Sequence, residues 1–251
     1  MPQQHFGHSA WTEPRALRSG PDLHRLQRVG TCAAVTGKLA GSTPHNTKTM
    51  QFLVPLLIVA VVAYALQRRD EHRRILLLGT HLGRYQIEKL METLTEGYMR
   101  ALGEPNAERQ QQIWSMLTTT ETALCEQFQR FAADFSRLEA ETTRASKLPL
   151  SIFYTRRWLP GSTFDFRQAL AVHAQGICRA LERDGQSLSP KDKAFTLLAE
   201  LFLMQHSCHW FCKSKTVAST RLVLRHQTPY EKVLESVAPA TRQAYNALLA
   251  A

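Results

Sequence analysis

The sequence predicts an all-α protein in which a single N-terminal transmembrane helix precedes a cytoplasmic helical bundle with one long helix of 40 residues. Residues 52–66 form an uncharged apolar run of fifteen residues. Behind this run, apolar residues recur at helical spacing between capping and breaking signals. Only residues 217–225 have the β-branched content of a strand, and one strand cannot make a sheet.

The chain divides by composition into a disordered tail (1–49), a transmembrane helix (50–67), a basic juxtamembrane segment (68–81) and a helical domain (82–251). The tail holds four prolines and five glycines and has too little patterned apolar surface to offset the entropy of ordering. Because the composition changes abruptly at Met50, two interpretations stay open. The native chain starts either at Met1 or at Met50.

The apolar run fits a single-pass anchor in the lipid bilayer. Eighteen residues, 50–67, give a helix of about 27 Å, enough for a thin hydrocarbon core. Pro55 falls in the first turn, where a missing N–H costs little, and Tyr64 lies near the end, where an aromatic ring prefers the interface. A buried core helix and a signal peptide ending at Ala63-Tyr64-Ala65 are the two alternatives.

The charges that flank the run predict its orientation. Four arginines follow it and are expected at the membrane interface, against lipid phosphates: Arg68, Arg69, Arg73 and Arg74. Only Lys38 and Lys48 lie close on the other side, so the positive-inside rule predicts a cytoplasmic C-terminal domain at a bacterial inner membrane. In that compartment all five cysteines are expected to be reduced.

The net charge of +10 does not favour nucleic acid as a partner. The tail carries six basic and two acidic residues, and residues 68–74 carry four arginines and two acidic residues. Residues 75–251 hold 21 basic and 17 acidic residues, which is nearly balanced. The excess is therefore concentrated around the membrane segment rather than on a binding face.

Two helices are expected next, over residues 75–102, starting within the juxtamembrane segment, and over residues 107–146. They are separated by Gly103-Glu104-Pro105-Asn106. Five apolar residues of the second helix share one face at spacings of four and three: Leu124, Phe128, Phe131, Phe135 and Leu138. This stripe either packs inside the chain or forms the seam of a homodimer through residues 107–146.

Capping residues place the later helices. Ser162 and Asp165 fit a capping box for a helix that reaches Arg183. Ser189, followed by a proline, starts the next helix, which runs to about Lys213. Thr228 begins a short helix in the same way, and Pro239 opens the last one.

The densest group of candidate ligands lies near the end of the helix that starts at Ser189. It comprises His206, Cys208, His209 and Cys212, which have the residue types that bind zinc but not the usual two separated pairs. A helical wheel places the two cysteines within an apolar arc, so they are interpreted as core residues. The alternative is a zinc or thiol site, completed by Cys178 or His173 from the preceding helix.

Known catalytic templates do not occur in the chain: there is no glycine-rich phosphate loop, G-x-S-x-G or H-E-x-x-H. Residues 154–158 interleave basic and aromatic side chains and are interpreted as a packed connector. We therefore expect a membrane-anchored interaction, scaffold or regulatory protein with an unknown protein partner, no catalytic activity and no cofactor. The alternative is a metal- or thiol-based sensor using residues 206–212.

Overall fold

A computed structural model describes residues 46–148, 160–181 and 189–251. The predicted tail, apart from residues 46–49, and the basic-aromatic motif at 154–158 lie outside the described residues. The chain divides between Val62 and Ala63 into two units. The described part is predominantly helical, as the sequence predicts.

Nine helices and two short strands follow one another in the described ranges. The helices are α1 (Asn46–Leu82), α2 (Ile87–Gly103), α3 (Ala107–Ser136), α4 (Ala140–Thr143), α5 (Phe166–Leu181), α6 (Pro190–Cys212), α7 (Lys215–His226), α8 (Tyr230–Ser236) and α9 (Pro239–Ala250). The strands are β1 (Arg144–Ser146) and β2 (Thr163–Asp165), the latter preceded by a 3-10 turn at Pro160–Ser162.

Helix α1 contains the apolar run and continues beyond it. The stretch Phe52–Leu82 is long and apolar enough to cross a membrane, and side chains from Phe52 to Tyr64 are exposed on every face. The helix continues through the arginine segment, where side chains one turn apart support it. Gln67 donates to Glu71 at 3.2 Å, for example. The last turns differ from the apolar run, because Leu78 and Leu82 are buried.

The expected helix over residues 75–102 is interrupted at residues 83–86, between α1 and α2. Side chains of α3 supply the hydrogen bonds that the turn needs. Tyr85 donates its hydroxyl proton to Asp134 at 2.6 Å, and the Gln86 N–H donates to Gln127 Oε1 at 2.7 Å. These partners lie more than 40 residues away, so the local pattern did not reveal the break.

The predicted 40-residue helix is also shorter than expected, because α3 ends at Ser136. The guanidinium of Arg167 donates to the Leu138 carbonyl at 2.6 Å, which satisfies a backbone group just beyond the helix end. Residues 144–146 then leave the helix and pair antiparallel with residues 163–165. The short helix α4 and strand β1 of a two-stranded sheet therefore replace the last turns of the expected helix.

The structure differs from two of the predicted helix caps and confirms a third. Ser162–Asp165 does not form the predicted box, because Thr163–Asp165 is strand β2 and Asp165 instead accepts from the Arg167 N–H at 3.0 Å. Ser189 caps α6 as expected, accepting from the Asp192 N–H. Thr228 does not cap α8, since its hydroxyl donates to the His226 carbonyl.

The expected strand at 217–225 is helix α7. Its N-cap is Ser214, whose hydroxyl accepts from the Val217 N–H at 3.3 Å. The cap outweighs the weak preference of valine and threonine for strands.

The core is built around α6, which packs against α2, α5, α7, α8 and β1. Aromatic side chains fill the space between α3, α5 and α6, and the rings of Phe166 and Phe211 stack with their centroids 4.4 Å apart. Four members of the stripe on α3 are completely buried within the chain: Leu124, Phe128, Phe131 and Phe135. These four therefore pack inside their own chain, and homodimerisation through residues 107–146 stays a prediction.

Candidate functional site

The predicted His-Cys cluster lies on the last two turns of α6 and is largely inaccessible. Cys208 is 1% exposed, Cys212 6% and His206 1%, whereas His209 is half-buried. The helical wheel assigned only the two cysteines to the core, but the structure buries His206 as well. The reason is that α7 and α8 pack on this side of α6 and bring Ser219 and Tyr230 against the His206 ring.

Three side chains of the cluster contact different neighbours. His206 Nε2 lies 3.1 Å from Ser219 Oγ, and the His206 ring stacks on Tyr230. His209 Nδ1 faces the guanidinium of Arg221, whereas Cys208 Sγ contacts Met204 Sδ at 3.7 Å. Within the described ranges, no three His, Cys, Asp or Glu side chains are grouped so that they could hold a metal ion.

The two side chains proposed to complete a zinc or thiol site have other partners. His173 Nε2 lies 2.9 Å from Ser207 Oγ, and Cys178 is bonded to Cys125. The zinc site and the sensor function thus stay predictions, and no contact of these residues favours them.

Burial also sets the protonation state of the cluster. Desolvation raises the pKa of Cys212 to about 12 and raises the pKa of Cys208 well above its ordinary value. It lowers the pKa of His206 to about 3 and that of His209 to about 4. At neutral pH the cysteines are therefore thiols, which are poor nucleophiles, and both histidines are neutral.

The four arginines predicted at the membrane interface separate into two kinds. Arg68, Arg69 and Arg73 are exposed. Arg74 is only 5% exposed; it pairs with Asp70 at 3.1 Å and donates to the Phe211 carbonyl at 2.9 Å. Its guanidinium also lies over the Phe211 ring. The expectation that Arg74 faces lipid phosphates is therefore replaced by a role in holding α1 against the end of α6.

A disulfide joins Cys125 on α3 to Cys178 on α5, with the two Cα atoms 5.2 Å apart. The expectation that every cysteine is reduced is wrong for these two. The pair is separated by 53 residues, and the sequence contains no spacing signal for it. The one hint in the helical pattern is that Cys125 directly follows Leu124 of the apolar stripe on α3.

The helical domain also contains an open groove, which sequence reasoning missed. Its volume is about 1110 Å³, and residues of α2 and of α5 to α9 line it. The floor is apolar and includes Leu198, Ala199, Phe202, Val233 and Val237. Met99 (65% exposed) and Phe195 (51% exposed) are large apolar side chains on its walls. A groove formed by six helices leaves no local signature in the sequence.

The charged groups that line the groove favour an anion. Among the described residues, Arg179 and Arg225 line it together with one carboxylate, Asp192, whose oxygen accepts from the Ser189 hydroxyl at 2.7 Å. His226 also lines it and stacks on Phe202 with a centroid separation of 3.8 Å. Burial and the neighbouring Arg225 lower the pKa of His226 to about 4, so the ring is neutral at pH 7. The part of the lining that the structure describes therefore carries a net positive charge.

A buried carboxyl group lies behind one wall of the groove. Glu200 is completely buried, and its Oε1 accepts from the backbone N–H of Ala238, a lining residue, at 3.0 Å. Desolvation raises the pKa of Glu200 to about 7, against the opposing effects of Thr241, Ala238 and Arg179. Its protonation state consequently changes close to neutral pH.

A buried Ser-His contact, with Ser207 Oγ 2.9 Å from both His173 Nε2 and Tyr245 OH, does not line the groove. Burial lowers the pKa of His173 to about 3, which makes it a poor base at neutral pH. The arrangement satisfies polar groups in the core.

No protein-family model, curated protein or solved structure matches this chain.

Proposed function

We propose that this protein is a single-pass membrane protein whose helical domain acts by interaction, as a scaffold or regulator, and binds its protein partner in the groove. The observation that carries the proposal is the groove itself, about 1110 Å³ with an apolar floor. Exposed apolar surface on a folded domain commonly marks a site of association. The exposed helix with the composition of a membrane span supports the anchor.

The chemistry of the groove favours one kind of occupant, an amphipathic helix with acidic residues. Its apolar face would cover the floor near Phe202 and Val233, as in other helix-in-groove complexes. Its carboxylates would face Arg179 and Arg225, and within the described ranges no salt bridge joins either arginine to a carboxylate. Met99 supplies an adaptable side chain on the wall.

The arginines that follow the apolar run favour a cytoplasmic domain at a bacterial inner membrane, whereas the Cys125–Cys178 disulfide favours an oxidising compartment. Groove binding is the same in either orientation. Binding in the groove is therefore tested without reference to the side of the membrane on which the domain lies.

The test uses the full chain in lipid nanodiscs with a photo-crosslinking amino acid in place of Phe195, which lines the groove. The probes are a synthetic amphipathic helix of leucine and glutamate, about five turns long, and its leucine–lysine counterpart. We expect the acidic peptide to crosslink at position 195 and the basic peptide not to. A crosslinker in place of Met116, which is 75% exposed and outside the groove, should capture neither.

The charge-reversed variant Arg179→Glu/Arg225→Glu should lose the acidic peptide and gain the basic one. The matched control is Arg130→Glu/Arg137→Glu, which changes one exposed arginine on α3 and one directly after its end, and which should behave as the native chain. Equal crosslinking at positions 195 and 116, or no effect of the groove arginines, would contradict the proposal.

A further inference from the structure

The fold brings one pair of cysteines into bonding position. Cys125 and Cys178 come from different helices, and their Cα separation of 5.2 Å lies within the range that a disulfide needs. Packing of α3 on α5 holds the two positions together. Cys125 is half-buried, whereas Cys178 is 3% exposed, so a reagent in solvent reaches Cys125 first.

The other two described cysteines are unsuited to this reaction. Cys208 and Cys212 lie one turn apart on α6, where the side chains of one helix cannot easily reach the geometry of a disulfide. Both are buried, and burial raises the pKa of both thiols. The folded domain therefore discriminates between a pair that forms a disulfide and a pair that stays reduced.

We propose that Cys125 and Cys178 are a site of enzymatic disulfide formation and that the domain carrying them faces the oxidising side of the membrane. The co-reactant is a thiol oxidase that carries a disulfide. Disulfides persist in such compartments, whereas the thiol pools of the cytosol reduce them. The proposal does not depend on the groove or on its partner.

The reaction is two successive thiol–disulfide exchanges. The Cys125 thiolate attacks one sulfur of the oxidase disulfide, which forms a mixed disulfide and releases one oxidase thiolate. The Cys178 thiolate then attacks the Cys125 sulfur and releases the second oxidase thiolate. Two electrons pass to the oxidase, and the protons of the two protein thiols finish on its two sulfurs.

This orientation opposes the one that the arginine flank predicts. The flanking charges predict orientation only through a statistical preference, based on four arginines after the run against two lysines before it. A persistent disulfide, by contrast, requires an oxidant. Arg74, moreover, is buried in the domain, where it forms an ion pair with Asp70 and donates a hydrogen bond to the Phe211 carbonyl. The covalent bond is therefore the stronger indicator of the compartment.

Differential thiol labelling of the full chain in its own membrane tests the cysteine pair. Cells are quenched in acid and denatured, free thiols are blocked with a light maleimide, and disulfides are reduced and labelled with a heavy one. We expect the heavy label on Cys125 and Cys178 and the light label on Cys208 and Cys212. A light label on Cys125 and Cys178 would overturn the proposal.

The compartment is tested with reporters fused after Ala251. Alkaline phosphatase, which needs oxidation, should be active, and green fluorescent protein exported by the same route should be dark. A fluorescent fusion would overturn the proposal even if the disulfide were present. The variant Cys208→Ser/Cys212→Ser, which keeps the proposed pair, should give the same labels at Cys125 and Cys178 as the native chain.

Discussion

The α-carbon of Gly176 on α5 lies directly against the carboxyl group of Glu200 on α6. A β-carbon at position 176 would overlap Glu200 Oε2 and lie 2.6 Å from Thr241 Oγ1. Glycine is therefore needed here for the close approach of the two helices and of α9, and not for an unusual backbone conformation. The contact fixes the buried carboxyl group behind the groove.

Replacing this glycine should destabilise the domain. Gly176→Ala forces either the carboxyl group or a helix to move, and overpacking of this kind costs about 1–3 kcal/mol in the free energy of unfolding. Urea unfolding of the full chain in nanodiscs, followed by tryptophan fluorescence, measures the change. The control is Gly79→Ala on α1, where a β-carbon meets nothing within 4 Å, and which should be neutral or slightly stabilising. An unchanged midpoint for Gly176→Ala would show that the close approach is absent.

The carboxyl group of Glu200 should make the domain less stable as the pH rises. Its folded pKa of about 7 exceeds the ordinary value of 4.5, so the folded state retains the proton. This contribution to stability is full below pH 4.5 and is lost as the pH rises through 7. Glu200→Gln keeps the oxygen that accepts from Ala238 but does not ionise.

We therefore expect Glu200→Gln to match the native chain near pH 4.5 and to be more stable above pH 7, by up to about 3 kcal/mol. Glu92→Gln, on an exposed position of α2, should show no such difference. Urea unfolding midpoints of the native chain and both variants, measured from pH 4.5 to pH 8, test this difference in stability. Parallel pH profiles of Glu200→Gln and the native chain would contradict the assigned pKa.

Two buried histidines should make the domain sensitive to acid. Burial lowers the folded pKa of His173 and of His206 to about 3, from the ordinary 6.5. Their contribution to stability is full above pH 6.5 and is lost as the pH falls towards 3, at up to about 1.4 kcal/mol per pH unit for each histidine.

The acid effect is best measured in the Glu200→Gln background, where the opposing contribution of that carboxyl group is absent. The urea midpoint should fall steadily from pH 7 to pH 5. His173→Gln, which removes one titrating ring, should reduce the slope. A midpoint that is level or rises with acid would show that these histidines are accessible to protons in the folded state.

Arg74 should be important to the attachment of residues 63–82 of α1 to the rest of their unit. Arg74→Met removes the hydrogen bond to the Phe211 carbonyl and leaves Asp70, which is 18% exposed, without this ion pair. Breaking a buried ion pair costs about 3–5 kcal/mol. Arg73→Met changes the exposed neighbour and should cost little. Equal unfolding free energies for the two variants would contradict the buried role of Arg74 and support the position at the membrane interface that the sequence predicts.

The sequence by itself determined the features that depend on neighbouring residues. The apolar run, the cap at Ser189 and the helical spacing of the phenylalanines on α3 each act within a few turns, so they predicted a helical protein with one candidate span. The break at residues 83–86 depended instead on Asp134 and Gln127, and the strand at 144–146 depended on residues 163–165.

Tertiary structure decided which side chains act together. It paired Cys125 with Cys178, joined Arg74 to Phe211, gave His206 and His209 different partners on neighbouring helices, and assembled the groove from six helices. The physical reason is common to all four: each arrangement joins residues from different helices. Spacing along one helix fixes a face, but the partner of that face depends on how the helices pack.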